Sequence, residues 1–118
     1  MDKSDKEKIE RIIKTRKKAH SFYSGKSKVY QSFLEMEKNT YRNGILTKLQ
    51  KELIAIGISV VTNCESCMEW HIKQALDEGA TEVEIIETIE VGMEMGGGPA
   101  TVSARFAMKI LEYYRQQK

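Results

Sequence analysis

Apolar residues along this chain recur mostly at steps of three and four, the spacing that gathers side chains on one face of a helix. Ile9, Ile12 and Ile13 form a thin stripe near the start. Val29, Tyr30, Phe33, Leu34 and Met36 form a second, after Gly25 interrupts the pattern. Cys64 to Glu78 reads as a further helix, stopped by Gly79. Val83, Ile86, Ile89 and Met93 follow, and Val102, Phe106, Ile110 and Tyr114 line one face of a last segment. The boundaries carry matching signals. Ser4 with Glu7, Thr47 with Gln50 and Thr81 with Glu84 each have the spacing of a capping box, in which two side chains satisfy free backbone donors. Asn43-Gly44 is a helix stop. The stretch "GGGPA" (96–100) breaks the chain, and Pro99 suits the first position of a final helix, where no backbone N–H is needed.

The segment "ELIAIGISVVT" (52–62) is ambiguous by period. Its β-branched residues Ile56, Ile58, Val60 and Val61 suit a buried strand. The cap at Thr47, the length to Thr62 and the lack of any second strand signal favour a buried helix, because a lone strand has no partner. The pattern therefore predicts an all-α fold of five or six helices.

With 118 residues the chain fits one domain, spanning 1–118. Net charge is +2, too balanced to argue for a nucleic-acid or membrane partner. No apolar run is long enough to cross a membrane. The charged N-terminus lacks a signal-peptide core, so a cytoplasmic location is expected. The basic cluster Lys14 to Lys18 reads first as a solvated face and second as a site for an anionic partner. His20 reads as a surface or interface residue, and Trp70, Met68, Met93 and Met95 as filler of the core or an interface.

The reactive chemistry is concentrated in "NCESCMEWH" (63–71), which holds both cysteines and one of the two histidines. In a reducing compartment a close cysteine pair points to catalysis or metal binding rather than a structural staple. With Cys64 at the start of its helix, Cys64, Cys67 and His71 fall within roughly 60° of one another. A helix N-terminus favours thiolate over thiol, and an imidazole one turn away can hold or move the thiol proton. Glu52 lies on the preceding helix. In a hairpin turning near Asn63 it sits roughly 16 Å up one arm and His71 roughly 12 Å up the other, an offset that a long side chain or one water can span. A carboxylate on the far imidazole nitrogen would fix its tautomer and complete a relay from Glu52 through His71 to Cys67. Three other readings stand beside this one. In the first, the cysteines are packed and inert. Cys64, Cys67 and His71 would form a zinc site if a fourth ligand existed. Glu52 would form only an i, i+4 ion pair with Lys48.

Glu52, Cys64-Glu65-Ser66-Cys67 and His71, with "GATEVEIIETI" (79–89) and "GMEMGGGPA" (92–100), resemble the signature of the AhpD-like, carboxymuconolactone decarboxylase superfamily. The resemblance covers about 45–111 and leaves 1–44 as N-terminal helices. It implies an all-α AhpD-like fold, with the Cys-x-x-Cys at the start of a central helix, assembled as trimers or hexamers. It implies disulfide reductase or peroxidase chemistry with no bound cofactor and no metal. Cys67 resembles the peroxide-attacking thiol, Cys64 the resolving thiol, and His71 with Glu52 the proton relay. The partners would be a peroxide or disulfide substrate and a dithiol or thioredoxin-like reductant. Ser66 stands where well-characterised alkylhydroperoxidase members have a second histidine, which weakens the peroxidase expectation and leaves disulfide exchange. Decarboxylases of the superfamily generally lack the cysteine pair. A lyase working through His71 and Glu52 is the alternative activity, and a redox-sensing or zinc-binding module the non-enzymatic one.

Overall fold

The computed structural model describes residues 1–117, and all the regular structure among them is helical. The order is α1 (Lys3–Ser24), α2 (Lys28–Tyr41), α3 (Lys48–Val61), α4 (Glu65–Asp77), α5 (Glu82–Gly96) and α6 (Gly98–Gln116). The ambiguous segment 52–62 is helix, and it is the centre of the fold. α3 packs against α4, α5, α6 and α2. Ile56 and Val60 face these neighbours and are buried, while Ile54, Ile58 and Val61 are exposed in the single chain.

The caps are local and follow the sequence. The Thr47 and Thr81 hydroxyls accept from the backbone N–H of Gln50 and Glu84, and both reciprocal bonds are made. At the first helix the box is not formed. The helix starts at Lys3, and Asp2 caps it by accepting from the Ser4 N–H at 3.0 Å. Ser4 is thereby inside the first turn, where its hydroxyl cannot cap. α2 ends at Tyr41, just before the Asn43-Gly44 stop.

The turn between α3 and α4 sets the geometry of everything downstream. Asn63 adopts a left-handed φ of 53°, a conformation Asn tolerates better than most residues. The Cys64 N–H then donates to Ser59 O at 3.0 Å, and the Asn63 N–H to Val60 O at 3.3 Å. This paired closure ends α3 and starts α4 across the three residues Thr62, Asn63 and Cys64, folding the two into an antiparallel hairpin. Gly79, at φ 94°, closes α4 in the same way through Gly79 N–H to Leu76 O and Ala80 N–H to Ala75 O.

The core gathers Ile56 and Val60 of α3, Met68 and Ile72 of α4, Ile85 and Ile89 of α5, and Ala107 and Ile110 of α6, with Ile9 from α1. Each such isoleucine contributes about 1.5–3 kcal/mol relative to exposure. The face of α6 differs from the one its large residues indicate. Phe106 and Ile110 are buried, but Val102 is 54% exposed, and the small Ala100, Ala104 and Ala107 point inward instead. Small residues let α6 approach its neighbours closely. On α5, Val83 and Ile86 are likewise exposed, while Ile85 and Ile89 are buried.

α1 is attached by Ile9, Ile12 and Ile13, which pack on the core, and by polar contacts. Arg16 leaves the basic cluster and forks onto Glu69 of α4, with Nε at 3.0 Å from Oε1 and Nη2 at 3.2 Å from Oε2. Glu69 is fully buried and also accepts from the Tyr114 hydroxyl. The Arg16 guanidinium lies over the Trp70 ring, 4.6 Å from its centroid. Lys8 pairs with Glu65 at 2.9 Å. The solvated-face reading of Lys14 to Lys18 therefore holds for Lys14, Lys17 and Lys18 and fails for Arg16.

Candidate active site

Cys64 is the N-cap of α4, and its sulfur accepts the Cys67 N–H at 3.3 Å. The two cysteines are joined as a disulfide, with Cα atoms 5.2 Å apart. One turn further along α4 stands His71. Its Nδ1 lies 2.7 Å from Oε1 of Glu52 on α3. A carboxylate only accepts hydrogen bonds, so the proton of this bond sits on Nδ1, and in the neutral ring Nε2 keeps the lone pair. The hairpin at Asn63 thus brings Glu52 and His71 into direct contact, with no bridging water needed.

Glu52 is only 2% exposed, so its second oxygen also needs a partner. That partner is Lys48, whose Nζ is 3.5 Å from Oε2. The ion pair with Lys48 and the bond to His71 are therefore not alternatives. One carboxylate makes both, one through each oxygen.

Tyr41 completes the cluster. It comes from the last turn of α2, and its ring stacks at a tilt on His71, with centroids 5.3 Å apart. Burial first, then the charges of Glu52 and Glu37, hold its hydroxyl above the usual tyrosine range. The sequence carries no signal for Tyr41 at this site, because its place depends on how the 42–47 loop returns α2 to α3. His20 is not part of the cluster. It is exposed and bonded to the Tyr30 hydroxyl at 2.9 Å. Among the described residues, no group of three or more His, Cys, Asp or Glu side chains is arranged to hold a metal ion. Chemically the site offers a dithiol–disulfide couple at a helix N-terminus, and beside it an imidazole with a fixed tautomer.

A sequence model of the carboxymuconolactone decarboxylase family matches residues 27–109, from the start of α2 into α6. Uncharacterized protein 4 in the cox locus of Paracoccus denitrificans is 41% identical over 81 residues, which are 69% of this chain and 73% of that protein. An uncharacterized protein of Cupriavidus necator is 36% identical over 83 residues, 70% of this chain and 71% of its own length. Two solved structures share the fold. A carboxymuconolactone decarboxylase family protein from Legionella pneumophila has a TM-score of 0.78 at 27% identity, covering 92% of this chain and 96% of that one. A family protein from Thermotoga maritima, to which a possible involvement in antioxidative response is ascribed, has a TM-score of 0.82 at 26% identity, covering 90% of this chain and 91% of that one.

Proposed function

The chain belongs to the carboxymuconolactone decarboxylase family, and from that premise we propose that it is a thiol-dependent disulfide reductase, with peroxide reduction as a second use of the same site. The observation that carries the reading is the 2.7 Å contact of His71 with Glu52 on the helix that begins with the Cys64–Cys67 pair. The possible antioxidative involvement ascribed to the Thermotoga maritima protein is consistent with the same class of chemistry.

The cycle begins from the reduced pair. Cys67 gives its proton to His71 Nε2 and attacks a sulfur of the substrate disulfide. A mixed disulfide forms, and the first substrate thiolate leaves with the proton from His71. Cys64 then gives up its proton and attacks Cys67, forming the Cys64–Cys67 bond and releasing the second substrate thiolate, which takes up that proton. Two electrons pass from the protein dithiol to the substrate, and an external dithiol returns them. With a peroxide, the Cys67 thiolate takes the distal oxygen, the alcohol leaves with the proton from His71, and Cys64 displaces water from the sulfenic acid. Glu52 keeps the imidazole in the tautomer that each proton transfer requires.

The reading also includes a homo-oligomer, a trimer or hexamer. An open groove of about 520 Å³ between α3 and α5 is lined by Ile54, Ile58, Val61, Val91 and Met95, all exposed in the single chain. An apolar area of this kind marks an interface. Light scattering at micromolar concentration should give the mass of a trimer or hexamer, and a stable monomer of 13.5 kDa would contradict it.

The deciding experiment follows reduction of insulin disulfides and consumption of tert-butyl hydroperoxide with dithiothreitol as donor, each corrected for the rate without protein, beside Cys67→Ser. Loss of turnover in the variant supports the reading. Equal turnover in both proteins overturns it. Conversion of a lactone acid that survives Cys67→Ser but not His71→Gln would establish the lyase alternative.

A further inference from the structure

We propose that Lys48 is the positioning residue of the Glu52–His71 pair, its ammonium holding the second carboxylate oxygen and so fixing the side chain that orients the imidazole. The proposal deepens the thiol-relay reading above and rests on it for its meaning in catalysis, but its central readout does not require turnover.

Lys48 is the first residue of α3. A cation there opposes the positive end of the helix dipole, so helix stability does not account for it. Its side chain turns toward α4 and meets three acceptors. Nζ is 3.5 Å from Glu52 Oε2, 3.2 Å from Gln74 Oε1 and 3.8 Å from Glu78 Oε2. His71, Gln74 and Glu78 are spaced i, i+3 and i+7, so they form one stripe along α4. The ammonium therefore spans the hairpin and ties the carboxylate on α3 to the helix that carries the imidazole.

The charges around Glu52 are few. Lys48 faces it from its own helix and His71 from α4, while Gln74 and Glu78 meet the Lys48 ammonium rather than Glu52 itself. From α2, the Tyr41 hydroxyl feels the charge of Glu52 and also that of Glu37. Among the described residues, no hydrogen bond or ion pair reaches Glu52 from α5 or α6. Lys48 is thus the one fixed cation of the cluster, and it offsets both Glu52 and Glu78. Without it, Glu52 Oε2 is buried with no donor, and the carboxylate can satisfy itself only by turning, taking a proton, or drawing one more strongly onto His71.

The test is the titration of the two histidine rings followed by NMR in wild type, Lys48→Met, Lys48→Arg, Glu52→Gln and Glu52→Gln/Lys48→Met, with dithiothreitol-driven reduction of insulin disulfides measured on the same samples. His20 is the internal control. In Lys48→Met the His71 midpoint should rise by about one pH unit and turnover should fall about tenfold, while His20 stays in place. Lys48→Arg should restore the wild-type midpoint, since the charge is kept. In the Glu52→Gln background, Lys48→Met should move His71 no further. A His71 midpoint unmoved by Lys48→Met, or a shift that persists in the Glu52→Gln background, overturns the positioning role even if the variant melts earlier. If the midpoint moves as stated in a protein that turns over no disulfide, the positioning stands and the thiol-relay reading falls.

Discussion

Nδ1 of His71 lies 2.7 Å from Oε1 of Glu52 across nineteen residues of chain. The two residues sit on opposite arms of a hairpin, and the turn at Asn63 alone decides whether they meet. If they work as one unit, removing either should cost most of what removing both costs. Glu52→Gln and His71→Gln should each slow disulfide turnover on the order of 10²-fold, and the double variant should be little slower than either. Steady-state turnover of the three proteins decides the matter. Simple multiplication of the two effects would mean that Glu52 acts elsewhere.

The Arg16–Glu69 pair is a second buried carboxylate contact, on the other side of α4. Glu69 is 0% exposed and has Arg16 as its cation, with the Tyr114 hydroxyl as a further donor. Arg16→Met should destabilise the protein by about 3–5 kcal/mol, because it leaves a charge buried without its partner. Arg16→Met combined with Glu69→Leu should recover much of that loss, since no charge is then stranded. Urea unfolding at one fixed protein concentration compares the three.

These two pairs show where sequence reading succeeds and where it stops. The caps at Thr47 and Thr81 and the stop at Gly79 depend on residues within one turn, so local spacing reveals them. The Glu52–His71 contact was within reach because both arms of the hairpin can be measured from the turn. Arg16 and Glu69 are 53 residues apart. Nothing local distinguishes Arg16 from Lys14, Lys17 or Lys18, and only the docking of α1 turns it inward. Tyr41 is hidden for the same reason. Val102 misleads in another way, because side-chain size does not mark the buried face of α6. On α6 the close approach of neighbouring helices selects Ala100, Ala104 and Ala107.

Close approach also governs the contact of α3 with α5. A Cβ added to Gly92 would stand 2.9 Å from Gly57 O and 3.2 Å from Val60 Cβ. One of these is backbone, so the helices must separate. Gly92→Ala should therefore lose about 1–3 kcal/mol despite the better helix propensity of alanine. A Cβ on Gly25 would meet nothing within 4 Å, so Gly25→Ala should change stability little. Thermal melting of both variants is the check. Equal melting temperatures would show that α3 and α5 have slack.

Alkaline pH should expose the tyrosine network. Burial first, then the hydrogen bond and charge of Glu69, holds Tyr114 above its ordinary value of 10.0. The folded chain keeps a proton that the unfolded chain releases near pH 10. The sign follows from that difference: the contribution is full below the unfolded value and is lost as pH rises through it toward the folded value. Tyr114→Phe should be less stable at neutral pH, because Glu69 loses a donor. Its stability should fall less steeply than wild type between about pH 9 and pH 11. Urea midpoints across that range test the slope, and parallel curves would show that Tyr114 titrates alike in both states.

The two cysteines are favoured by different parts of the same helix end. Cys64 is the N-cap, and its sulfur accepts the Cys67 N–H at 3.3 Å. Cys67 lies in the first turn and is one turn from His71. The N-cap bond and the helix dipole stabilise a Cys64 thiolate. The imidazole supplies what the dipole cannot, a base that removes the Cys67 proton and returns it to the leaving group. Cys67 should therefore be the thiol that reacts first near neutral pH, and His71→Gln should remove that preference. Mild peroxide should lower the intact mass by about two hydrogens as the pair closes, and a dithiol should restore it. Alkylation of the reduced protein by iodoacetamide across a pH series, followed by peptide mapping, assigns the order. If Cys64 is modified first at every pH, the N-cap outweighs the imidazole, and the roles of attacking and resolving thiol must be exchanged.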